Sequence, residues 1–433
     1  MIRSLTASSI PSNVPEDSQD VLIVGGGVIG LCCGWYLSKA GYKVTILDRD
    51  PTRKSACSDE NAGMVVPSHF IPLAAPGVIS QGLKWMLNNK SPFYMRPRLD
   101  PGLWSWCWKF FRHANVRHVK NSKHILSIMS LESRRLFLEL ADELSFNLET
   151  RGLMMLCQTE AGLKEEAEVA SIAAEVGVHA EVCNAGRVRE LDPEVRMDVL
   201  GGVWFEQDCH LDPLGFMEEL RRGIRNREGT FLDDEAKDFI RQCNQLTAVE
   251  TAKGQRLKAD WFVLAGGAWT PEMTHQLGLR LPMQGGKGYS LTLKNPTELP
   301  HLCSLLKEAR VAVTPLGEKL RVGGTMEICG TDLSVSHKRV QGIIESFCRF
   351  FPAFKESDFE GIEPWSGLRP CTPDGLPCIG PIPGIQNATV ATGHAMLGLS
   401  LGPVTGKFVT DLITQGKPEL EVALLKLAPE RFG

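Results

Sequence analysis

Apolar and polar positions divide the chain into recognisable elements before any residue has a role. Val21–Val24 is an unbroken apolar run, and Lys43–Leu47 is a second strand-like one. Runs without polar alternation suit parallel strands covered on both faces. A glycine-rich turn and a helical stretch join them, so residues 20–48 read as strand, turn, helix, strand. Residues 76–150 are helical in pattern, in three stretches: "PGVISQGLKWMLNN", "PGLWSWCWKFFRHA" and "ILSIMSLESRRLFLELADEL". "RGLMMLCQT" predicts a strand, "AGLKEEAEVASIAAEVG" an exposed amphipathic helix, and "GGVWFEQD" another strand. "DPLGFMEELRRGIRN" predicts a helix that Asp212 caps. "LTAVETAKGQRLKADWFVLAGGAWT" supplies a hairpin-like pair and a buried strand closing on Gly266 and Gly267. "KGYSLTL", "ARVAVTP" and "KLRVGGTMEI" predict a strand-rich region between Leu281 and Phe351, covered by a helix over "SHKRVQGIIESFCRFFP". Thr389–Ala391 predicts a last buried strand, followed by a glycine-dense turn and a helix from near Gly402.

One helix has two readings. Trp104, Cys107, Trp108 and Phe111 recur at i, i+3, i+4 and i+7 and so share a face. The simpler expectation is a buried face. The alternative is a basic, aromatic surface for a membrane or a partner subunit, because Lys109, Arg112, Arg117 and Lys120 follow closely.

The first turn carries chemistry. Gly25, Gly27 and Gly30 stand in GxGxxG spacing where a strand must turn into a helix, with Val28 and Ile29 between the last two glycines. Absent side chains let the backbone approach a pyrophosphate, and the helix N-terminus offers unpaired N–H groups. Asp48, followed by Arg49, ends the second strand 18 residues beyond Gly30, where an acid can accept hydrogen bonds from a ribose 2′-OH. That acid disfavours NADP, whose extra phosphate it would repel. NAD and FAD both satisfy this stretch.

A chain of 433 residues exceeds one ordinary core and suits two domains. The net charge of −4 gives no reason to expect nucleic acid as a partner. Thirteen cysteines are dispersed without CxxC pairs or zinc spacing, so reduced thiols in a cytoplasmic compartment are expected, with no metal site. Cys32 and Cys33 read as packing residues. Residues 1–18 read as a disordered polar arm, and no apolar run is long enough to span a membrane. The C-terminal strand–glycine–helix element favours a bound flavin over a nicotinamide, because an isoalloxazine must be walled and its edge given positive potential.

The segments "VLIVGGGVIGLCCGWYLSKAGYKVTILDRD", "SDENAGMVVPSHFIPLAAPGV", "ADWFVLAGGAWT", "GGKGYSLTL", "RVGGTMEICG", "WSGLRPCTPDGLPCIG" and "ATGHAMLGLSLGP" span nearly the whole chain. In this order they resemble the glycine/D-amino-acid oxidase superfamily of FAD-dependent oxidoreductases, and within it the bacterial D-amino-acid dehydrogenase small subunits. The resemblance implies an α/β fold of two domains, a Rossmann-like FAD-binding domain interleaved with a mixed-sheet substrate domain. The expected division is 19–75 with 206–275 and 362–433 for FAD, and 76–205 with 276–361 for substrate. It implies that Gly25, Gly27, Gly30 and Asp48 bind the ADP half. It places Asn61, Ala62, Gly63 and Met64 beside the isoalloxazine, and Gly266 and Gly267 at a second glycine contact. Gly393, His394, Leu397, Gly398 and Leu399 match the flavin-edge turn, and Arg369 the carboxylate-holding arginine. Cys371 stands off the offset of the family's flavin-linking cysteine, so FAD is expected to be non-covalent.

The implied reaction is oxidative deamination of a D-amino acid by hydride transfer to the flavin, with electrons passing to a quinone-linked acceptor. Tyr289 is a candidate for the substrate carboxylate or amine, and equally for a sheet-face aromatic. His394 is a candidate to stabilise reduced flavin, and equally for packing. His69 and His210 read as structural, and the face of Glu327 is left open. Oxidation of a secondary amino acid (hydroxy-D-proline or sarcosine) or of glycine, and a flavin-holding subunit without activity, stand as alternatives. An NAD-dependent dehydrogenase is the least favoured.

Overall fold

In the computed structural model, residues 20–49, 56–418, 420 and 424–432 are described. The expected N-terminal arm lies outside them.

Two large sheets organise the chain. The first has six strands in the order Thr230–Asp233, Lys43–Asp48, Asp20–Val24, Trp261–Leu264, Ala388–Thr392, Cys378–Pro381. All neighbours pair in parallel except the last two. Val21 to Val24 are buried on both faces, which explains their lack of alternation. The helix Val28–Lys39 lies on this sheet, and Cys32 and Cys33 are fully buried there, as packing residues would be. The helix Gly402–Gln415 packs against it; a Cβ at Gly406 would strike the Cys32 carbonyl.

The second sheet is mixed. Its path runs Trp365–Cys371, Gln284–Leu293, Lys319–Ile328, Val311–Leu316, Cys303–Leu306, Leu153–Cys157, Gly201–Phe205, Ala180–Asn184. Phe93–Met95 pairs beside Lys319–Ile328. The helix His337–Phe350 covers one face through Val340, Ile343 and Phe347. Trp365–Cys371 completes this sheet by pairing with Gln284–Leu293, although the expected division assigned it to the FAD unit. Its residues alternate toward two clusters, Leu368 with Ala268 and Cys329 on one side and Cys371 with Leu103, Trp106 and Ile328 on the other.

The aromatic helix, Pro101–His113, overturns the simpler expectation for its face. Leu103 and Trp106 are buried, with Phe110 partly so, whereas Trp104, Trp108 and Phe111 are each more than 60% exposed. Both faces of this helix are apolar at helical spacing. Periodicity finds the helix and cannot say which face turns inward.

Candidate active site

Three glycine turns meet at the C-terminal ends of the parallel strands, where open α/β sheets bind ligands. Gly25 ends the first strand with φ +115°, a backbone that only glycine takes without strain. A Cβ there would be driven into the Ala265 carbonyl, and one at Gly30 into the Gly25 carbonyl. The first helix begins at Gly27 without a side-chain cap of its own, and the Val28 N–H donates to Ser58 Oγ at 3.1 Å. Ile29 follows on the same first turn. Asp48 reaches the turn from the neighbouring strand and accepts a hydrogen bond from the Gly26 N–H. Arg49 lies over the Trp269 ring at 4.0 Å and pairs with Glu235 at 3.3 Å. The second turn, Gly266–Gly267, therefore meets the first, and the space beside Gly267 is open.

The loop bearing Asn61, Ala62, Gly63 and Met64 is held from three sides. Asn61 Oδ1 accepts from the Gly63 N–H at 2.9 Å, and the Gly63 carbonyl accepts from Leu211 at 2.8 Å. Arg321, almost fully buried, donates to the Asn61 carbonyl at 2.7 Å and pairs with Glu60 at 2.7 Å. Beyond Met64, the Val66 N–H donates to Ser400 Oγ at 2.9 Å, tying this loop to the third turn. There Gly393 has φ +77°, and Ala395–Leu397 forms a single 3₁₀ turn. Leu397 and Leu399 are buried and Gly398 is half-buried, while Met396 stands 47% exposed.

His394 is buried at the base of this turn. Its Nε2 lies 2.9 Å from Thr405 Oγ1, and its Nδ1 has no partner among the described residues. Burial pushes the ring down to about 3, so it is a neutral imidazole at neutral pH.

Arg369 projects from the edge strand opposite Gly286, onto the sheet face that carries Ser290, Thr292 and Arg321. Its guanidinium occupies the space a side chain at Gly288 would fill, and Nη1 donates to the Thr325 carbonyl at 2.7 Å. No other protein acceptor among the described residues takes its remaining N–H groups. Cys57 lies nearby; burial raises its thiol, and the Arg369 charge opposes that rise. Cys371 shares this face, fully buried, with its thiol pushed up to about 12, chiefly by burial.

Tyr289 does not join this group. Strand register turns it to the opposite face with Lys287 and Glu327, beneath the helix His337–Phe350. Its hydroxyl donates to Glu327 at 2.7 Å and accepts from the Ser336 N–H at 3.1 Å. Glu327 is paired there with Arg339 at 3.2 Å. A hydroxyl committed to this buried network, on the far side of the sheet from Arg369, cannot hold the same carboxylate.

Several residues at the site carry no sequence signal: Ser58, Glu60, Arg321 and the group around Asp208. Asp208 is fully buried and accepts from the Ser68 N–H at 3.0 Å and from the Ser68 hydroxyl; burial raises it to about 7. His69 Nδ1 lies 3.0 Å from Ser68 Oγ, and burial pushes this half-buried ring down to about 4. His210, buried in the strand Cys209–Leu211 opposite Met64, is likewise pushed down to about 4 by burial.

The buried histidines predict acid sensitivity. His394 and His210 fold as neutral rings with lowered affinity for protons, so their contribution is complete above about pH 6.5 and lost as pH falls toward 4 and below. Each is worth on the order of 3–5 kcal/mol at the limit. Asp208 acts oppositely, since its raised value favours folding at low pH and that benefit fades as pH rises toward 7. The thermal midpoint should fall between pH 6.5 and 4.5, less steeply in His210→Gln. Equal slopes in the two proteins would contradict the assignment.

Crevice, glycine cradle and acid-tipped second strand define a dinucleotide-binding oxidoreductase of the two-sheet kind. The chain belongs to the FAD dependent oxidoreductase (DAO) family, whose model matches residues 20–412. Among curated proteins it is 34% identical over 412 residues to a D-amino acid dehydrogenase of Methylobacterium nodulans, covering 92% of this chain and 96% of that one. It is 33% identical over 428 residues to a D-amino acid dehydrogenase of Bradyrhizobium diazoefficiens, covering 95% and 100%. Among solved structures, glycine oxidase from Geobacillus kaustophilus superposes with a TM-score of 0.74 at 23% identity, covering 95% of this chain and 98% of that one. The L-proline dehydrogenase of P. horikoshii gives 0.70 at 18% identity, covering 96% and 98%. These structural likenesses speak for the fold.

The chain's own geometry fits FAD. The Gly25–Gly30 cradle would be blocked by side chains, the space at Gly267 is open, and His394 Nδ1 is an orphaned buried polar atom.

Proposed function

We propose that the protein oxidises free D-amino acids to imino acids, which water hydrolyses to 2-oxo acids and ammonia. The observation that carries this reading is Arg369, an arginine aimed along a glycine-cleared sheet face with part of its guanidinium unclaimed by any other described residue. A guanidinium offers a carboxylate two parallel N–H donors and keeps its charge at any working pH. Thr325 fixes one edge of that fork, so the rest meets the substrate already oriented. Bound FAD supplies the hydride acceptor. The chain's residues supply position: Asn61–Met64 and Gly393–Leu399 wall the cofactor, and Gly25–Gly30 with Asp48 hold its ADP half. A neutral His394 whose Nε2 accepts from Thr405 carries its proton on Nδ1, which can then donate to the cofactor edge.

FAD is held without a covalent bond in this reading. The support is Cys371, whose buried thiol stays protonated and unreactive at neutral pH. A quinone-linked protein or quinone takes the electrons, and the exposed helix Pro101–His113 is the side on which the chain meets a membrane or subunit.

Asp48→Ala tests the ADP half. It removes a carboxylate from the ribose position and leaves the Gly26 N–H without its acceptor, so FAD should bind about 10–100-fold more weakly. Equilibrium dialysis of the reconstituted protein checks this. Unchanged affinity would remove Asp48 from the cofactor site.

A further inference from the structure

Segment 76–120 differs from the rest of the molecule in both charge and exposure. It carries Lys84, Lys90, Arg96 and Arg98, then Lys109, Arg112, Arg117 and Lys120, against the single acid Asp100. The whole chain has a net charge of −4. Of the twelve large hydrophobic residues that are exposed in the described chain, seven fall between positions 83 and 116. Trp104, Trp108 and Phe111 stand on one face of Pro101–His113, with the Trp108 and Phe111 rings stacked at 6.1 Å. Leu99 precedes this helix almost fully exposed and Val116 follows it at 72%. Leu83 and Leu87 add a further exposed apolar pair, one turn apart at the end of the preceding helix.

Charge complementarity decides what covers this face. Arg112 and Arg117 are exposed and make no ion pair among the described residues, and Lys120 is exposed beside them. Aromatic side chains flanked by unpaired cations suit the headgroup level of a bilayer that carries negative lipid. A helix of 13 residues is too short to cross a bilayer, and none of the described helices is long and apolar enough to do so. The helix would therefore lie flat in the interface, with its aromatic face among acyl chains.

We propose that the outer face of Pro101–His113, with the exposed apolar positions on either side, docks the protein on an anionic membrane surface. This rests on the proposed quinone-linked oxidation and deepens it, since a quinone dissolved in the bilayer is then met at the docked face. The helix also joins that face to the site. On its inner side, Trp106 donates its indole N–H to the Cys371 carbonyl at 2.9 Å, two residues from Arg369 on the same strand.

The test is flotation of the full-length FAD-loaded protein with vesicles of phosphatidylcholine alone or with phosphatidylglycerol at about one third, a fraction at which each nearby Lys or Arg gains appreciably from the surface potential. Binding should require the anionic lipid and weaken as salt rises. Trp104→Ser/Trp108→Ser/Phe111→Ser should lower the bound fraction at least about tenfold, because the interfacial anchors are gone. Arg112→Glu/Arg117→Glu should weaken binding and reduce its salt dependence. Both variants should keep wild-type FAD content and activity with a soluble dye acceptor, because these side chains point away from the site. Wild-type protein that does not float with anionic vesicles would overturn the proposal. So would an aromatic triple variant that floats as well as wild type. A concentration-dependent dimer that the aromatic variant abolishes, with no flotation, would reassign the face to self-association. Flotation reads no catalysis, so its failure leaves the D-amino-acid reading to be judged on turnover alone.

Discussion

Arg369→Ala should lower kcat/KM for a D-amino acid by about 10²–10³-fold, with most of the loss in KM and the bound flavin spectrum unchanged. The size follows from what alanine removes. A charge-assisted two-pronged contact with a carboxylate is roughly twice as strong as a neutral pair of hydrogen bonds. Without it the carboxylate enters a site lined on one face by Gly286, Gly288 and Ser290, none of which offers a positive charge. Arg369→Lys should recover little, because an ammonium cannot present two parallel donors while holding the Thr325 carbonyl. Folding should be little affected, since Arg369 is only half-buried and its side chain makes one protein hydrogen bond among the described residues. Steady-state kinetics with absorbance of the oxidised flavin checks both halves. Loss of flavin with KM unchanged would move Arg369 to the cofactor side.

Gly30→Ala carries the other large effect, and it should strip the protein of FAD. The added methyl would meet the Gly25 carbonyl, and both partners are backbone at the tightest part of the turn. No side chain can swing aside, so either the helix Val28–Lys39 lifts from the strand or the turn opens. Each outcome moves the N–H groups meant for the pyrophosphate. The purified variant should be colourless or retain less than about a tenth of the wild-type flavin, a loss of at least 1.4 kcal/mol in cofactor affinity. Its thermal midpoint should also fall, since packing of helix on strand is disturbed. Yellow protein with full occupancy would show that this turn does not carry the cofactor.

Most of the architecture is legible in local pattern. The unbroken apolar run Val21–Val24 and the short stretch Thr389–Ala391 belong to strands buried on both faces. Alternation and turn residues outline the strands Gln284–Leu293, Val311–Leu316 and Lys319–Ile328. What pattern cannot supply is the side of an element that faces the site. Tyr289 and Arg369 sit on neighbouring strands of one sheet, and only the register tells that they point to opposite faces. The aromatic helix repeats the difficulty, because Trp104 and Trp106 both satisfy helical spacing and only Trp106 is covered.

The site divides along the same line. Residues proposed to meet the cofactor with backbone, such as Gly25 and Gly30, are visible because a side chain there would strike a neighbouring carbonyl. Arg321, Ser58 and Asp208 are common residue types whose partners are supplied by distant strands and loops. Arg321 reaches Asn61 and Glu60 across about 260 positions of sequence, and nothing near either residue announces the contact.

Anaerobic mixing of the FAD-loaded protein with a panel of amines reads D-amino-acid oxidation at the flavin itself. D-alanine, D-proline, hydroxy-D-proline, sarcosine and glycine would each be added while the oxidised flavin absorbance is followed. Rapid bleaching by a free D-amino acid, and none by its L-enantiomer, is the expected result. Flavin that no D-amino acid bleaches, in protein that dithionite reduces normally, would contradict it.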